Sequence, residues 1–280
     1  MSKSDLTIVI NTFNSDEKIY SCLDTIHSDY KILIIENSNN LQFKKLIEKR
    51  YPNVTCELAG DNLGYAKGNN LGLSKVNSKF ALILNPDTVL EGDAINNFFV
   101  TAQKLEEFAI IAPAVQEKRD NKKFKYNNNP IEIENVKGFA MFLNIDQFKD
   151  VGFFDDNFFI YFEEIDLCRR LRKMKKKIYL DQTIKINHIG GSSHNQLINF
   201  EMELSRNWHW MWSTFYYHKK YYGFFIALLM VSRKFLSALI KVIFYSILFD
   251  QNKKKIYFQR LSGLFNSIMG KKSWYRPKVS

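Results

Sequence analysis

Four short stretches carry side chains whose types and spacing suit chemistry. Asn85-Pro86-Asp87 directly follows an apolar run, Phe80–Leu84. A carboxylate just past a buried strand can hold a divalent cation on nucleotide phosphates, because Mg²⁺ and Mn²⁺ take oxygen donors and bind through one or two carboxylates plus phosphate. The same tripeptide is also good turn chemistry. Glu163, Glu164 and Asp166 open a predicted helix, and Arg169, Arg170 and Arg172 follow. Dipole complementarity accounts for part of that order, Asp166 and Arg172 in particular. It accounts less well for Glu163 and Glu164, which follow the aromatic residues 158–162. A carboxylate in a partly apolar cleft has raised proton affinity and suits general-base work. His188 follows the apolar residues 184–186 and precedes Gly190-Gly191-Ser192-Ser193-His194, a setting better suited to a ligand than to a core histidine. Residues 62–70, with Asn62, Gly64 and Lys67, form a Gly/Asn-rich loop opening a helix, able to turn backbone N–H groups toward a phosphate or sugar. They do not make a GxGxxG pattern, so a nicotinamide site is not expected.

The elements that must position these residues read as an alternation. Apolar strands are expected at 6–10, 30–35, 54–58 and 80–84, and helices at 16–26, 41–50 and ending near 71–76. The order β-α-β-α-β-α-β implies a doubly wound, mostly parallel sheet. Ligands on such sheets sit beyond the strand carboxyl ends. The polar clusters 11–14, 36–40 and 85–87 all follow strands and are therefore expected to converge. Residues 116–135 are polar and read as a loop or excursion.

Composition separates a body from a tail. The net charge is +11, yet residues 219–280 hold 13 Lys and Arg against one acid, Asp250, while residues 1–218 hold 27 basic and 28 acidic residues. A nucleic-acid binder would spread charge over its folded face, so no nucleic-acid partner is expected. The tail instead joins Trp, Tyr and Phe with two apolar stretches, 223–232 and 235–249, broken by Arg233, Lys234 and Lys241. None reaches the ~18–20 residues of a spanning helix, and two shorter helices lying on a membrane surface are expected. Basic residues near anionic lipid contribute roughly 1 kcal/mol each. A helical homodimer interface is the other use for the same apolar face. Three scattered cysteines without a CxxC pair argue for a reducing compartment. The apolar run at 6–10 is too short for a signal sequence, so export is not expected.

Taken together, the motifs resemble the inverting, family-two glycosyltransferases of the GT-A fold, with the rhamnosyltransferase-like branch nearest. The matching stretches are residues 7–14, 35–38, 62–70, 85–87, 138–141, 152–172 and 188–193, which places the resemblance over about 5–215. The implied organisation is a GT-A nucleotide-sugar-binding catalytic domain at 1–215 and a basic, aromatic-rich helical tail at 216–280.

The resemblance implies roles. Thr12 and Asn14 line the nucleotide pocket, and Glu36, where the family usually has Asp, reads the imino group of uracil or thymine. Asn62, Gly64 and Lys67 approach ribose and diphosphate, and Gly138 leaves room for the donor sugar. Asp87 and His188 bind Mg²⁺ or Mn²⁺. Asn85 stands at the first position of the family's Asp-x-Asp pattern as a neutral, weaker ligand. Glu164 is the general base, often Asp in the family, with Glu163 its acidic neighbour. The expected activity is transfer of a sugar, rhamnose among them, from a UDP- or dTDP-sugar to a hydroxyl of a lipid-linked or oligosaccharide acceptor in bacterial surface polysaccharide synthesis. The expected place is the cytoplasmic face of the inner membrane, as a peripheral protein. The rival reading is a non-catalytic nucleotide- or carbohydrate-binding membrane-associated module, in which Asn85 marks lost metal binding.

Overall fold

Runs rich in Ile, Val and Leu build the centre of the sheet. In the computed structural model, which describes residues 2–15, 18–114, 129–188 and 198–278, the strands are β1 (Leu6–Thr12), β2 (Lys31–Glu36), β3 (Val54–Leu58), β4 (Phe80–Leu84), β6 (Ile110–Pro113), β7 (Ile131–Glu132), β8 (Ala140–Asn144) and β9 (Ile178–Asp181). They form one sheet in the order β3-β2-β1-β4-β8-β6-β9-β7. β3, β2, β1 and β4 run parallel, and β8 enters antiparallel between β4 and β6. The first and central strands are apolar at nearly every position because helices cover both faces. A short two-stranded sheet pairs β5 (Thr88–Leu90) with β10 (Ile186–His188).

The helices beside the sheet are α1 (Lys18–Leu23), α2 (Leu41–Arg50), α3 (Gly64–Leu73), α4 (Ala94–Lys104) and α5 (Glu163–Lys173). Asn40 caps α2 by accepting from the N–H of Phe43 at 2.9 Å, which satisfies a donor the helix itself leaves open. α4 supplies Phe98, whose ring stacks on Phe142 of β8 at 5.2 Å. α3 lies close on β1 because a Cβ at Gly68 would come within 2.5 Å of the Asn11 side chain, and one at Gly72 within 2.4 Å of Val9. Cys22, Cys56 and Cys168 are buried free thiols, each pushed up to about 12 by burial.

The chain divides into two compact units. One comprises Met1–Leu63, Lys67–Phe154 and Glu164–Asn195, and the other Gly64–Ala66, Asp155–Glu163 and Gln196–Ser280. The boundary expected between 215 and 216 falls within a helix of the second unit, α6 (Asn199–Tyr222). Gly223, at φ +83, ends α6 and opens α7 (Phe224–Ile247), and α8 (Gln251–Ile268) follows. The two short apolar helices expected between 223 and 249 are thus a single 24-residue helix. Arg233, Lys234 and Lys241 do not break it, since straight-chain cations are good helix formers. A Cβ at Gly263 of α8 would lie 2.1 Å from the Trp208 carbonyl oxygen of α6, so these two helices cross in close contact. Trp208 Nε1 donates to Ser262 Oγ at 3.2 Å, and Trp212 Nε1 to the Lys271 carbonyl at 3.0 Å. The expected loop at 116–135 is in part strand, since β7 pairs with β9. Its residues 116–128, and Gly190 to His194, lie outside the described residues.

Candidate functional site

Three strand ends meet as the polar clusters predicted. The backbone N–H of Asn37, after β2, donates to the Thr12 carbonyl of β1 at 2.9 Å. The N–H of Asn14, at φ +48, donates to Ser38 Oγ at 2.7 Å. Asn37 is the hub that motif reading passed over. Its side-chain amide donates to Asn11 Oδ1 and to the Thr12 carbonyl, and its Oδ1 accepts from the N–H of Leu63 at 3.1 Å. One buried amide thus ties β1, β2 and the loop before α3 together. Thr12 is buried, its hydroxyl turned to the Ile35 carbonyl at 3.4 Å. Asn14 Nδ2 is buried without a hydrogen-bond partner.

Glu36 has a second occupation. It is 2% exposed, and its two carboxylate oxygens accept from the N–H groups of Ser38 (2.8 Å) and Asn40 (2.7 Å). It therefore braces the loop it begins, and part of its acceptor capacity is used there. The N–H of Asn62 donates to Asp61 Oδ1 at 2.7 Å, and Lys67 is exposed on α3. Gly64, at φ +74, belongs to the second unit, where its Cα faces Phe159 so closely that a Cβ would meet the Phe159 carbonyl at 2.5 Å. The N–H of Tyr65 donates to that carbonyl at 2.7 Å.

Asp87 and His188 are brought together by the small sheet. Thr88 of β5 is in register with His188 of β10. His188 Nε2 stands 3.3 Å from Asp87 Oδ1. The turn between β4 and β5 is fixed from its backbone. The N–H of Asn85 donates to the Phe139 carbonyl at 2.8 Å, and Thr88 Oγ1 to the Asn85 carbonyl at 2.7 Å. Phe139, beside Gly138 and a residue the sequence did not flag by itself, stacks its ring on His188 at 4.7 Å with an 8° tilt. Asp87 is buried, and its Oδ1 makes no well-aligned hydrogen bond. A buried carboxylate oxygen with no hydrogen-bond donor aligned on it among the described residues is costly unless a cation completes it. The oxygen and nitrogen donors of this pair suit Mn²⁺ or Mg²⁺ with phosphate oxygens and water supplying the rest. Among the described residues, no group of three or more His, Cys, Asp and Glu side chains gathers as a metal site.

Glu163 and Glu164 open α5. The two residues before them, Tyr161 and Phe162, both hold left-handed backbone, at φ +72 and +70. Consecutive bulky residues in that region are strained and persist only where surroundings impose them. Within the second unit those surroundings are plain. Ser213 Oγ of α6 donates to the Ile160 carbonyl at 3.0 Å, and Phe162 packs on Trp210 and Tyr217. Asp155 accepts from Lys220 Nζ at 2.7 Å and Tyr216 Oη at 2.9 Å. Burial opposes the charged form of Asp155, but the bonds from Lys220 and Asn157 more than offset it and hold the carboxyl below its ordinary value. Glu163 is buried. Glu164 is half-buried, with Oε2 shut from solvent and without a hydrogen-bond partner, and burial pushes its carboxyl above the ordinary range. That is the condition a general base needs to hold a proton transiently. Asp166, in contrast, is structural. It pairs with Arg170 at 2.8 Å, and Arg170 also donates to the Val151 carbonyl at 2.7 Å, fastening α5 to the preceding loop.

Comparison with known proteins bears on the family and the fold. The hexosyltransferase Agl10 of low-salt glycan biosynthesis in Haloferax volcanii is 23% identical over 211 residues, covering 66% of this chain and 67% of that protein. The rhamnosyltransferase WbbL of Escherichia coli K12 is 23% identical over 201 residues, covering 59% of this chain and 75% of that protein. Among solved structures, the mannosyltransferase PcManGT of Pyrobaculum calidifontis, in complex with GDP-Man and Mn²⁺, superposes with a TM-score of 0.60 at 11% identity, over 96% of this chain and 88% of its own. GalNAc-T7 with UDP, GalNAc and Mn²⁺ has a TM-score of 0.54 at 12% identity, and this chain spans 43% of its length. These likenesses establish the GT-A type of fold, as expected from the sequence. The model of the family described as glycosyl transferase family 2 matches residues 7–203, and the chain accordingly belongs to that family and is a glycosyltransferase.

Proposed function

We propose that the chain moves a hexosyl group, rhamnose or a close relative, from a UDP- or dTDP-sugar to a hydroxyl of a lipid-linked saccharide in surface glycan synthesis, with inversion at the anomeric carbon. The observation that carries the reading is the buried Asp87 Oδ1 facing His188 Nε2 at 3.3 Å beside three converging strand ends. The named activities of Agl10 and WbbL, and the nucleotide-sugar and Mn²⁺ complexes of the structural neighbours, support the substrate class.

In this reading Asp87 and His188 would hold a divalent cation, with Asn85 alongside as a neutral donor, and a bound cation would supply positive charge for the diphosphate leaving group. Thr12 and Asn14 line the nucleotide pocket, Glu36 reads the base, and Asn62, Gly64 and Lys67 approach the ribose and diphosphate. Gly138 leaves space for the sugar. Glu164 takes the proton from the acceptor hydroxyl as its oxygen bonds the anomeric carbon. The bond from that carbon to the diphosphate oxygen breaks in the same displacement, and the nucleoside diphosphate leaves with the electron pair. Glu163 contacts the acceptor.

The test is a panel of nucleotide sugars incubated with membrane lipid extract and Mn²⁺, or with EDTA, scored for nucleoside diphosphate release and lipid-linked product. The expected result is release from one UDP- or dTDP-sugar that EDTA stops and Glu164→Gln abolishes while nucleotide binding persists. Nucleotide binding without turnover of any donor would overturn the reading in favour of a non-catalytic module.

A further inference from the structure

α7 buries only a narrow stripe. Ala227 and Val231 pack with Met211 and Phe215 of α6 and Leu264 of α8, and Ala238 continues the stripe. The opposite side presents Phe225, Leu229, Leu236, Ile240, Ile243 and Ile247 at helical spacing, and Phe225, Leu229, Ile240 and Ile247 are 79%, 73%, 64% and 69% exposed. An amphipathic helix of a water-facing protein turns its apolar side inward. This one turns small residues inward and large apolar residues outward, and a continuous patch of that kind marks an interaction surface.

Charge and length identify what covers it. Residues 219–280 carry 13 basic residues and a single acid, Asp250, and Asp250 is engaged as the N-cap of α8, accepting from the N–H of Lys253 at 3.0 Å. Among the described residues no helix is long and apolar enough to cross a membrane, and Arg233, Lys234 and Lys241 lie in the interior of α7. Tyr245 of α7 stacks on Tyr257 of α8 at 5.6 Å, with Lys241 over one ring at 4.8 Å and Lys253 over the other at 5.2 Å. Paired tyrosines with cations on their faces suit the headgroup level of a bilayer, where amphipathic rings and basic groups meet phosphate. A second copy of this chain would bring two strongly basic surfaces together, which like charge opposes.

We infer that the outer face of α7 lies in the plane of an anionic lipid surface, with its apolar side chains among the upper acyl segments and the basic residues of α7 and α8 at the headgroup phosphates. This surface is independent of the transfer reaction and holds whichever sugar is moved.

The experiment is flotation of the full chain with phosphatidylglycerol-containing vesicles and with pure phosphatidylcholine vesicles. The expected result is binding to the anionic vesicles that weakens about tenfold or more in 0.5 M salt, as screening demands, and weak binding to the neutral ones. Leu229→Asp with Ile240→Asp is expected to reduce anionic-vesicle binding at least tenfold at unchanged Tm, because both side chains are exposed. Lys253→Gln, Lys254→Gln and Lys255→Gln together are expected to erase the preference for anionic lipid. Wild-type protein that stays unbound, or a double Asp variant that floats like wild type, would overturn the inference. So would a dimer in sedimentation velocity that the double variant dissolves while vesicle binding is absent, which would assign the face to a second copy.

Discussion

Asp87 Oδ1 and His188 Nε2 face each other at 3.3 Å because β5 and β10 pair antiparallel immediately beside them. The carboxylate is buried and lacks a well-aligned hydrogen bond. Asp87→Asn is therefore expected to raise the Tm of the metal-free protein slightly, since a neutral amide costs less to bury than a carboxylate that no aligned donor satisfies. The same change is expected to remove Mn²⁺-dependent turnover, while His188→Ala weakens Mn²⁺ affinity on the order of 10–100-fold. Titration calorimetry with Mn²⁺ alone reads the second effect. Unchanged Mn²⁺ affinity in both variants would remove the pair from the metal site.

The position of Glu164 sets a pH signature. Its carboxyl is raised by burial, so the folded state favours the protonated form. The stability this confers is present below the ordinary glutamate pKa and is lost as pH rises through the raised value. Glu164→Gln is expected to raise Tm at neutral pH and to lose that advantage in acid. The acid limb of the rate profile should lie above pH 4.5, the ordinary value. A Tm difference independent of pH would refute the buried, ionisable assignment.

His209 offers a second titration, within the second unit. Burial pushes its imidazole down to about 3, despite the bond between Nε2 and the Tyr275 carbonyl at 2.8 Å. The unfolded chain protonates near 6.5 and the folded one does not until about 3. Stability is therefore lost as pH falls between those values, by up to roughly 1.4 kcal/mol per pH unit. His209→Gln, which keeps a donor for Tyr275, is expected to flatten the Tm profile from pH 6.5 to 4. A variant profile parallel to wild type would count against it.

Gly64 tolerates no side chain. Its φ of +74 and the 2.5 Å approach of a Cβ to the Phe159 carbonyl act together. Gly64→Ala should cost about 2–4 kcal/mol in chemical denaturation, from left-handed strain plus overpacking. A loss below about 1 kcal/mol would mean that the loop at Phe159 yields.

Much of the parallel half of the sheet was legible in the chain. Strands 54–58 and 80–84 and helix 41–50 fall where apolar periodicity puts them, because buried parallel strands leave an unambiguous apolar run. The three polar clusters converge because β2, β1 and β4 are neighbours in the sheet. Asn37 and Phe139 were not legible, since an asparagine after a strand looks like any turn residue and a phenylalanine like any core residue. Their roles depend on which distant backbone groups arrive beside them. α7 was misread as two helices because charge was taken as a break, whereas a helix without a polar partner carries basic residues through its middle unbroken. The bracing of its own loop by Glu36 is a matter of local turn geometry that composition does not encode.

The loop 155–162 is held by α6 through Ser213, Tyr216 and Lys220, and by the segment after α8 through Ser273, whose hydroxyl donates to the Asn157 carbonyl at 2.7 Å. The C-terminal region is thus no interchangeable cassette. Grafting it from a cousin, or clipping it to make a simpler enzyme, would unfasten the hinge that leads into Glu163. Natural exchange of C-terminal helices within such a lineage would have to carry residues 155–163 along with them.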